Sequence, residues 1–170
     1  MKEFKDTFYG DLTGHKSYDG INVSKLNLGS LNGAPDECYG DFYCERNVLK
    51  SLEHSPKIVF GTFGCGRNPI TTLKGSPVQV GGDYDCSGTT IKSLEGCTQN
   101  IGGTFYAYNV PMTEGDILAD IIKYQIKATD YSVLETYYTF DNIKEQFTNH
   151  QKMKSIKSKG FRTLLGLKKW

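Results

Sequence analysis

Short alternations of apolar and polar residues recur along the middle of this chain at a fixed interval. Gly40-Asp41-Phe42-Tyr43-Cys44 returns as Gly61-Thr62-Phe63-Gly64-Cys65, again as Gly82-Asp83-Tyr84-Asp85-Cys86, and a fourth time as Gly103-Thr104-Phe105-Tyr106-Ala107, each copy 21 residues after the last. Phe42 and Cys44 alternate with Asp41, Tyr43 and Glu45, the period-two signature of a short strand with one buried face. Downstream positions keep the register: Leu28, Leu49, Ile70, Ile91 and Met112; Leu31, Leu52, Leu73 and Leu94; Pro35, Pro56 and Pro77; Val59, Val80 and Ile101. Roughly four and a half copies run from about residue 19 to residue 112.

One copy reads as a structural unit. After the strand, Arg46-Asn47 turns the chain, and Leu49 and Leu52 point back inward. Ser55-Pro56 enforces an extended return, because proline restricts its own φ and its predecessor. A single unit cannot bury its apolar side, so copies must stack, their strands pairing in parallel at about 4.8 Å. Equivalent side chains then form ladders of aromatic, cysteine and leucine residues in a small right-handed solenoid. The expected organisation is an N-terminal cap over residues 1–18, a solenoid over 19–112, and a helical C-terminal region with a basic tail over 113–170.

In that last region Thr113-Glu114-Gly115-Asp116 reads as a helix start. Ile117, Ile121 and Tyr124 with Leu118, Ile122 and Ile126 make one broad helical face. Such a helix would cover the open end of the solenoid. Val133, Leu134, Tyr137 and Tyr138 suggest a second short helix. Asp141 suggests the N-cap of a third, carrying Ile143 and Phe147.

The repeat pattern, F-x-C-x-x-N-x-[LI]-x-[ST]-L followed by proline, resembles a short leucine-rich repeat of the bacterial kind. It is similar to the repeats of small proteins of T4-like tailed bacteriophages. The resemblance implies an α/β leucine-rich-repeat solenoid with a helical C-terminal cap, acting as a binding scaffold. It further implies a phage-encoded protein that works in the host cytoplasm on a host protein or a host defence component. The chain departs from the pattern where Thr89 and Val110 replace the asparagine of Asn47 and Asn68, which predicts a looser last turn.

Composition adds constraints. A chain of 170 residues suits one domain with a real core. It contains no apolar run long enough for a membrane-spanning helix. Its first residues lack the apolar stretch of a signal peptide, so a cytoplasmic setting is expected. Cys44, Cys65 and Cys86 share one inward position and read as a core ladder, with Cys38 and Cys97 also in the core. No C-x-x-C pair and no zinc-like His/Cys spacing occurs, so neither metal nor disulfide is expected. Gly61–Gly66 lacks the lysine of a phosphate loop. A Cys65 nucleophile with His54 or His15 conflicts with its ladder position. Asp83 and Asp85 could be paired carboxylates, yet no acid–base partner lies in their copy. Neither enzymatic activity nor a cofactor is expected.

The outward strand positions instead point to recognition. They carry Asp41, Tyr43 and Glu45, then Thr62, Gly64 and Gly66, then Asp83, Asp85 and Ser87, then Thr104, Tyr106 and Tyr108. The candidate partner-binding residues are Asp41, Tyr43, Glu45, Asp83, Asp85, Tyr106 and Tyr108, a tyrosine-bearing acidic face suited to a protein partner. Residues 144–170 hold eight basic side chains against one acid, while residues 1–143 hold 12 basic against 18 acidic. Lys152, Lys154, Lys157, Lys159 and Arg162 are the basic candidates. They could dock on the acidic remainder, or meet an acidic protein or a nucleic acid through residues 152–169. Phe161–Trp170 could also lie on an anionic membrane surface, though a membrane is not the expected partner. The expected function is protein binding without catalysis; the alternatives are a virion or assembly component and a nucleic-acid-binding regulator.

Overall fold

The computed structural model describes residues 1–133 and 136–138, together with Glu145 and Thr148. Within them the chain forms stacked coils of about four turns with a period of 21 residues, a β-solenoid. Each coil contributes two short parallel strands rather than one. Ile21–Asn22, Phe42–Tyr43, Phe63–Gly64, Tyr84–Asp85 and Thr104–Ala107 stack in sequence order and belong to a seven-stranded sheet. Lys16–Ser17, Glu37–Cys38, Ile58–Val59, Gln79–Val80 and Asn100–Ile101 stack as a five-stranded sheet. Two-residue strands with a single inward side chain offer almost no alternation to detect, so only the aromatic strand stood out in the pattern.

Register follows the repeat. Phe42 pairs with Phe63, Phe63 with Tyr84, and Tyr84 with Phe105. Their rings lie 5.5–5.9 Å apart as one buried stack. Burying a side chain of this size contributes about 1.5–3 kcal/mol, so this column is a principal source of stability. Phe4 extends the stack at the N-terminal side, its ring 6.2 Å from that of Phe42. It is placed there by Lys2–Glu3, which pairs in parallel with Leu28–Ser30. Tyr84 is wholly buried, and its hydroxyl shares a 2.8 Å hydrogen bond with that of Ser76. Cys44, Cys65, Cys86, Cys38 and Cys97 are free and buried, as the ladder reading expects.

The asparagine ladder ties coil to coil. Asn47 Oδ1 accepts from the Leu26 and Leu28 amides, and its Nδ2 donates to the Val23 and Cys44 carbonyls. Asn68 repeats the arrangement one coil later, accepting from Asn47 and Leu49 and donating to Cys44 and Cys65. Thr89 reaches only the Cys86 carbonyl with its hydroxyl. Its shorter side chain satisfies fewer backbone groups.

The stacking runs beyond residue 112. One helix, Glu114–Lys123, is inserted between Thr104–Ala107 and the next strand, Asp130–Val133. Thr113 is its N-cap, accepting from the Asp116 amide. Ile117, Leu118 and Ile121 are buried, and Asp120 accepts from the Leu94 amide at 2.8 Å and the Ser93 hydroxyl at 2.9 Å. Asp130–Val133 then adds in parallel to Thr104–Ala107, with Tyr131 opposite Phe105. Tyr131 is buried, and its hydroxyl donates to the Ile126 carbonyl. The aromatic column therefore continues after a longer loop.

Of the short helix expected over Val133, Leu134, Tyr137 and Tyr138, Leu134 lies outside the described residues and the others belong instead to a strand pair. Asp130–Val133 meets Thr136–Tyr138 antiparallel, with Ser132 opposite Tyr137. Pairing with the exposed edge of the sheet outweighs the weak helical spacing of these β-favouring residues. Asp141, Ile143 and Phe147 lie outside the described residues.

Candidate functional site

A groove of about 630 Å³ opens on the outward side of the seven-stranded sheet, lined by Glu45, Arg46, Gly66, Arg67, Asp85, Ser87, Gly88, Tyr108 and Asn109. Its position follows from the repeat. Glu45, Gly66, Ser87 and Tyr108 occupy one place in successive coils, and Arg46, Arg67, Gly88 and Asn109 the next. Glycine at 66 allows a close approach to the next coil, since a methyl group there would meet the Ser87 carbonyl oxygen at 2.7 Å. At Gly64 the preceding coil comes close: a methyl group there would meet Glu45 Oε1 at 2.5 Å and Tyr43 Cδ1 at 2.8 Å. Tyr43 and Glu45 thus lean over a glycine floor.

The predicted face separates into two kinds of residue. Asp41 and Asp83 are half-buried and hold the corner between coils: each Oδ1 accepts the amide of the next coil, Thr62 or Thr104, at 2.7 Å. Asp41 Oδ2 also accepts the Tyr43 hydroxyl. Glycines at 61 and 103 make room, since a methyl group would lie 2.3 Å from Asp41 Oδ1 and 2.2 Å from Asp83 Oδ1. Tyr43, Glu45, Asp85, Tyr106 and Tyr108 remain as face residues. Burial and the nearby Asp41 charge push the Tyr43 hydroxyl above its ordinary range, keeping it a neutral donor. Glu45 accepts from the Ser24 hydroxyl at 2.9 Å, and Asp85 from the Ser87 amide at 2.8 Å. The Tyr106 and Tyr108 rings lie 5.9 Å apart, and the Tyr108 hydroxyl shares a hydrogen bond with that of Ser132. Lys152, Lys154, Lys157, Lys159 and Arg162 lie outside the described residues.

Two features escaped the sequence reading. Arg46 and Arg67 stand on the groove rim, so this side of the molecule is not purely acidic. Their signal was present as a basic column, Lys25, Arg46 and Arg67, at the 21-residue interval. The second is an exposed aromatic stack at the corner of the five-stranded sheet. Tyr18, Tyr39 and Phe60 lie 5.1 and 4.5 Å apart and are 76%, 40% and 45% exposed. It ends where Gly81 and Gly102 follow in the same column, above a shallower groove lined by Gln79, Asn100, Lys127 and Thr129.

The suggested chemistry is not assembled. Cys65 is fully buried, with its Sγ against the Asp85 carbonyl, and burial holds its thiol well above the ordinary range. His54 is exposed on a separate turn. Asp83 and Asp85 are engaged in different backbone bonds. Among the described residues no cluster of three or more His, Cys, Asp or Glu could hold a metal ion, and no helix is long and apolar enough to cross a membrane. Compared with protein-family models, curated proteins and solved structures, the chain finds no match.

Proposed function

We propose that this β-solenoid is a non-enzymatic protein-recognition scaffold whose contact surface is the outward face of the seven-stranded sheet. The observation that carries the reading is the groove lined by Glu45, Gly66, Asp85, Gly88 and Tyr108 on the same outward face that carries Tyr43 and Tyr106. Tyrosines on a rigid strand lattice supply large contact area at little entropic cost. The stacked coils fix their spacing before any partner arrives, which reduces the ordering cost of binding. The resemblance to leucine-rich repeats of tailed phages directs the reading to a host protein, with the basic segment 152–169 as an auxiliary contact.

Affinity capture from the matching bacterial host tests this, with the full chain compared against Tyr43→Ala/Asp85→Ala/Tyr106→Ala. One host protein retained at stoichiometric amount and lost with the triple variant, whose melting is unchanged, is the expected result. Equal retention by both baits would remove the strand face from the interface. Recovery in purified particles at fixed copy number would replace the reading with an assembly role.

A further inference from the structure

We infer that the groove is built to take a mixed-charge peptide segment of a protein partner. An acidic side chain would be clamped between Arg46 and Arg67, and a neighbouring basic one would face Glu45 and Asp85. This rests on the recognition reading above and names the chemistry of the segment.

The first support is conformational. Lys25, Arg46, Arg67, Gly88 and Asn109 form one column at the bend after the strand, and all five have left-handed backbone, with φ of 62°, 53°, 55°, 69° and 50°. The column also shares one hydrogen-bond pattern: each amide up to Gly88 donates to the carbonyl of the next coil, Lys25 to Glu45, Arg46 to Gly66, Arg67 to Ser87 and Gly88 to Tyr108. Glycine occupies such a bend without steric cost, and the fold uses it at Gly88. A residue with a Cβ is disfavoured there by roughly 1–2 kcal/mol. The first two of the four coils that line the groove nonetheless carry arginine. Strained backbone of this kind gathers where a side chain has a task.

The second support is electrostatic. Among the described residues neither Arg46 nor Arg67 forms an ion pair or a side-chain hydrogen bond, although Glu45 and Asp85 line the same groove. The Arg67 stem leans toward the next coil, where a methyl group at Gly88 would meet its Cγ at 3.1 Å. Adjacent coils lie about 4.8 Å apart, so two guanidinium forks can approach one carboxylate from both sides. Arginine suits this because its planar donors match a carboxylate. A phosphodiester chain fits worse: its evenly repeated negative charge would run past Glu45 and Asp85. A groove of about 630 Å³ has the size of a pocket for a short segment rather than a broad flat interface.

The test uses the full chain as bait for a displayed library of random twelve-residue peptides, beside Arg46→Gly/Arg67→Gly and Tyr43→Ala/Tyr106→Ala. Because Gly88 already serves this bend, the glycine variant should melt at or above the wild-type temperature. The expected result is enrichment of peptides with Asp or Glu within two positions of Lys or Arg. Synthetic copies of these should lose at least about tenfold in affinity on the glycine variant. Arg46→Lys/Arg67→Lys should recover only part of the loss, since ammonium groups keep charge without the fork. Peptides that bind wild type and the glycine variant equally, but are lost with the tyrosine variant, would overturn the clamp and leave the recognition reading standing. A single-stranded oligonucleotide that binds in place of any peptide would overturn it in favour of nucleic acid. No enrichment and no oligonucleotide binding would overturn both.

Discussion

Asn68 holds Asn47: its Oδ1 accepts the Asn47 amide at 3.1 Å and the Leu49 amide at 3.2 Å, while its Nδ2 donates to the Cys44 carbonyl at 2.9 Å. One side chain therefore satisfies the bend of the preceding coil. Asn68→Ala leaves two buried amides without these partners, each worth about 1–3 kcal/mol when orphaned. Urea unfolding should show a loss of about 3 kcal/mol. Asn68→Thr, which copies the Thr89 solution, should lose less.

His54 occupies a left-handed turn, φ +66°, at a position where Gly33, Gly75 and Gly96 serve the neighbouring coils. Its side chain is exposed. His54→Gly removes a steric penalty of about 1–2 kcal/mol and adds some chain entropy to the unfolded state. The net expectation is a small rise in melting temperature, read by calorimetry.

Two glycine-to-alanine changes should differ in kind. At Gly75 a methyl group would lie 2.6–2.7 Å from the backbone of Leu52 and Glu53, at φ +89°. Nothing there can move cheaply, so Gly75→Ala should cost more than about 1 kcal/mol. At Gly64 the obstacles are the side chains of Glu45 and Tyr43, which can swing aside. Gly64→Ala should leave melting nearly unchanged while weakening partner binding, because it displaces the groove residue Glu45 and the face residue Tyr43.

Burial pushes the thiols of Cys44, Cys65, Cys86 and Cys97 well above their ordinary value of 9.0. In the folded chain they stay protonated, whereas the unfolded chain titrates near the ordinary value. The stabilisation is complete below that value. Above it the unfolded state binds fewer protons than the folded state, so stability falls as pH rises. The slope tends toward about 1.4 kcal/mol per pH unit for each thiol. Chemical unfolding between pH 8 and pH 10.5 should show this decline, and Cys65→Ala should make it shallower. The same burial predicts slow native-state reaction with a thiol reagent.

The repeat was legible because 21-residue spacing superposes Phe42, Phe63, Tyr84 and Phe105, and each must be inward if any is. The second sheet was not, since Glu37–Cys38 and its equivalents contribute one inward residue apiece. That omission also hid the stack of Tyr18, Tyr39 and Phe60, although these too lie 21 residues apart. Asp41 and Asp83 looked like free face acids because hydrogen bonds to the next coil's amides leave no mark in spacing. Arg46 read as a turn residue and Arg67 went unremarked, and only their left-handed backbone reveals that glycine would have served. The continuation to Tyr131 was obscured by the inserted helix, which breaks the interval.

Two tyrosine-bearing surfaces therefore face solvent, and the account assigns recognition to one of them. Oxidative footprinting of the full chain, alone and with its captured partner, reads both in one experiment through the same side-chain chemistry. The account predicts protection of Tyr43, Tyr106 and Tyr108, with Tyr18 and Tyr39 as reactive as in the free chain. Protection of Tyr18, Tyr39 and Phe60, with Tyr43 and Tyr106 unchanged, would contradict it and move the interface to the corner of the five-stranded sheet.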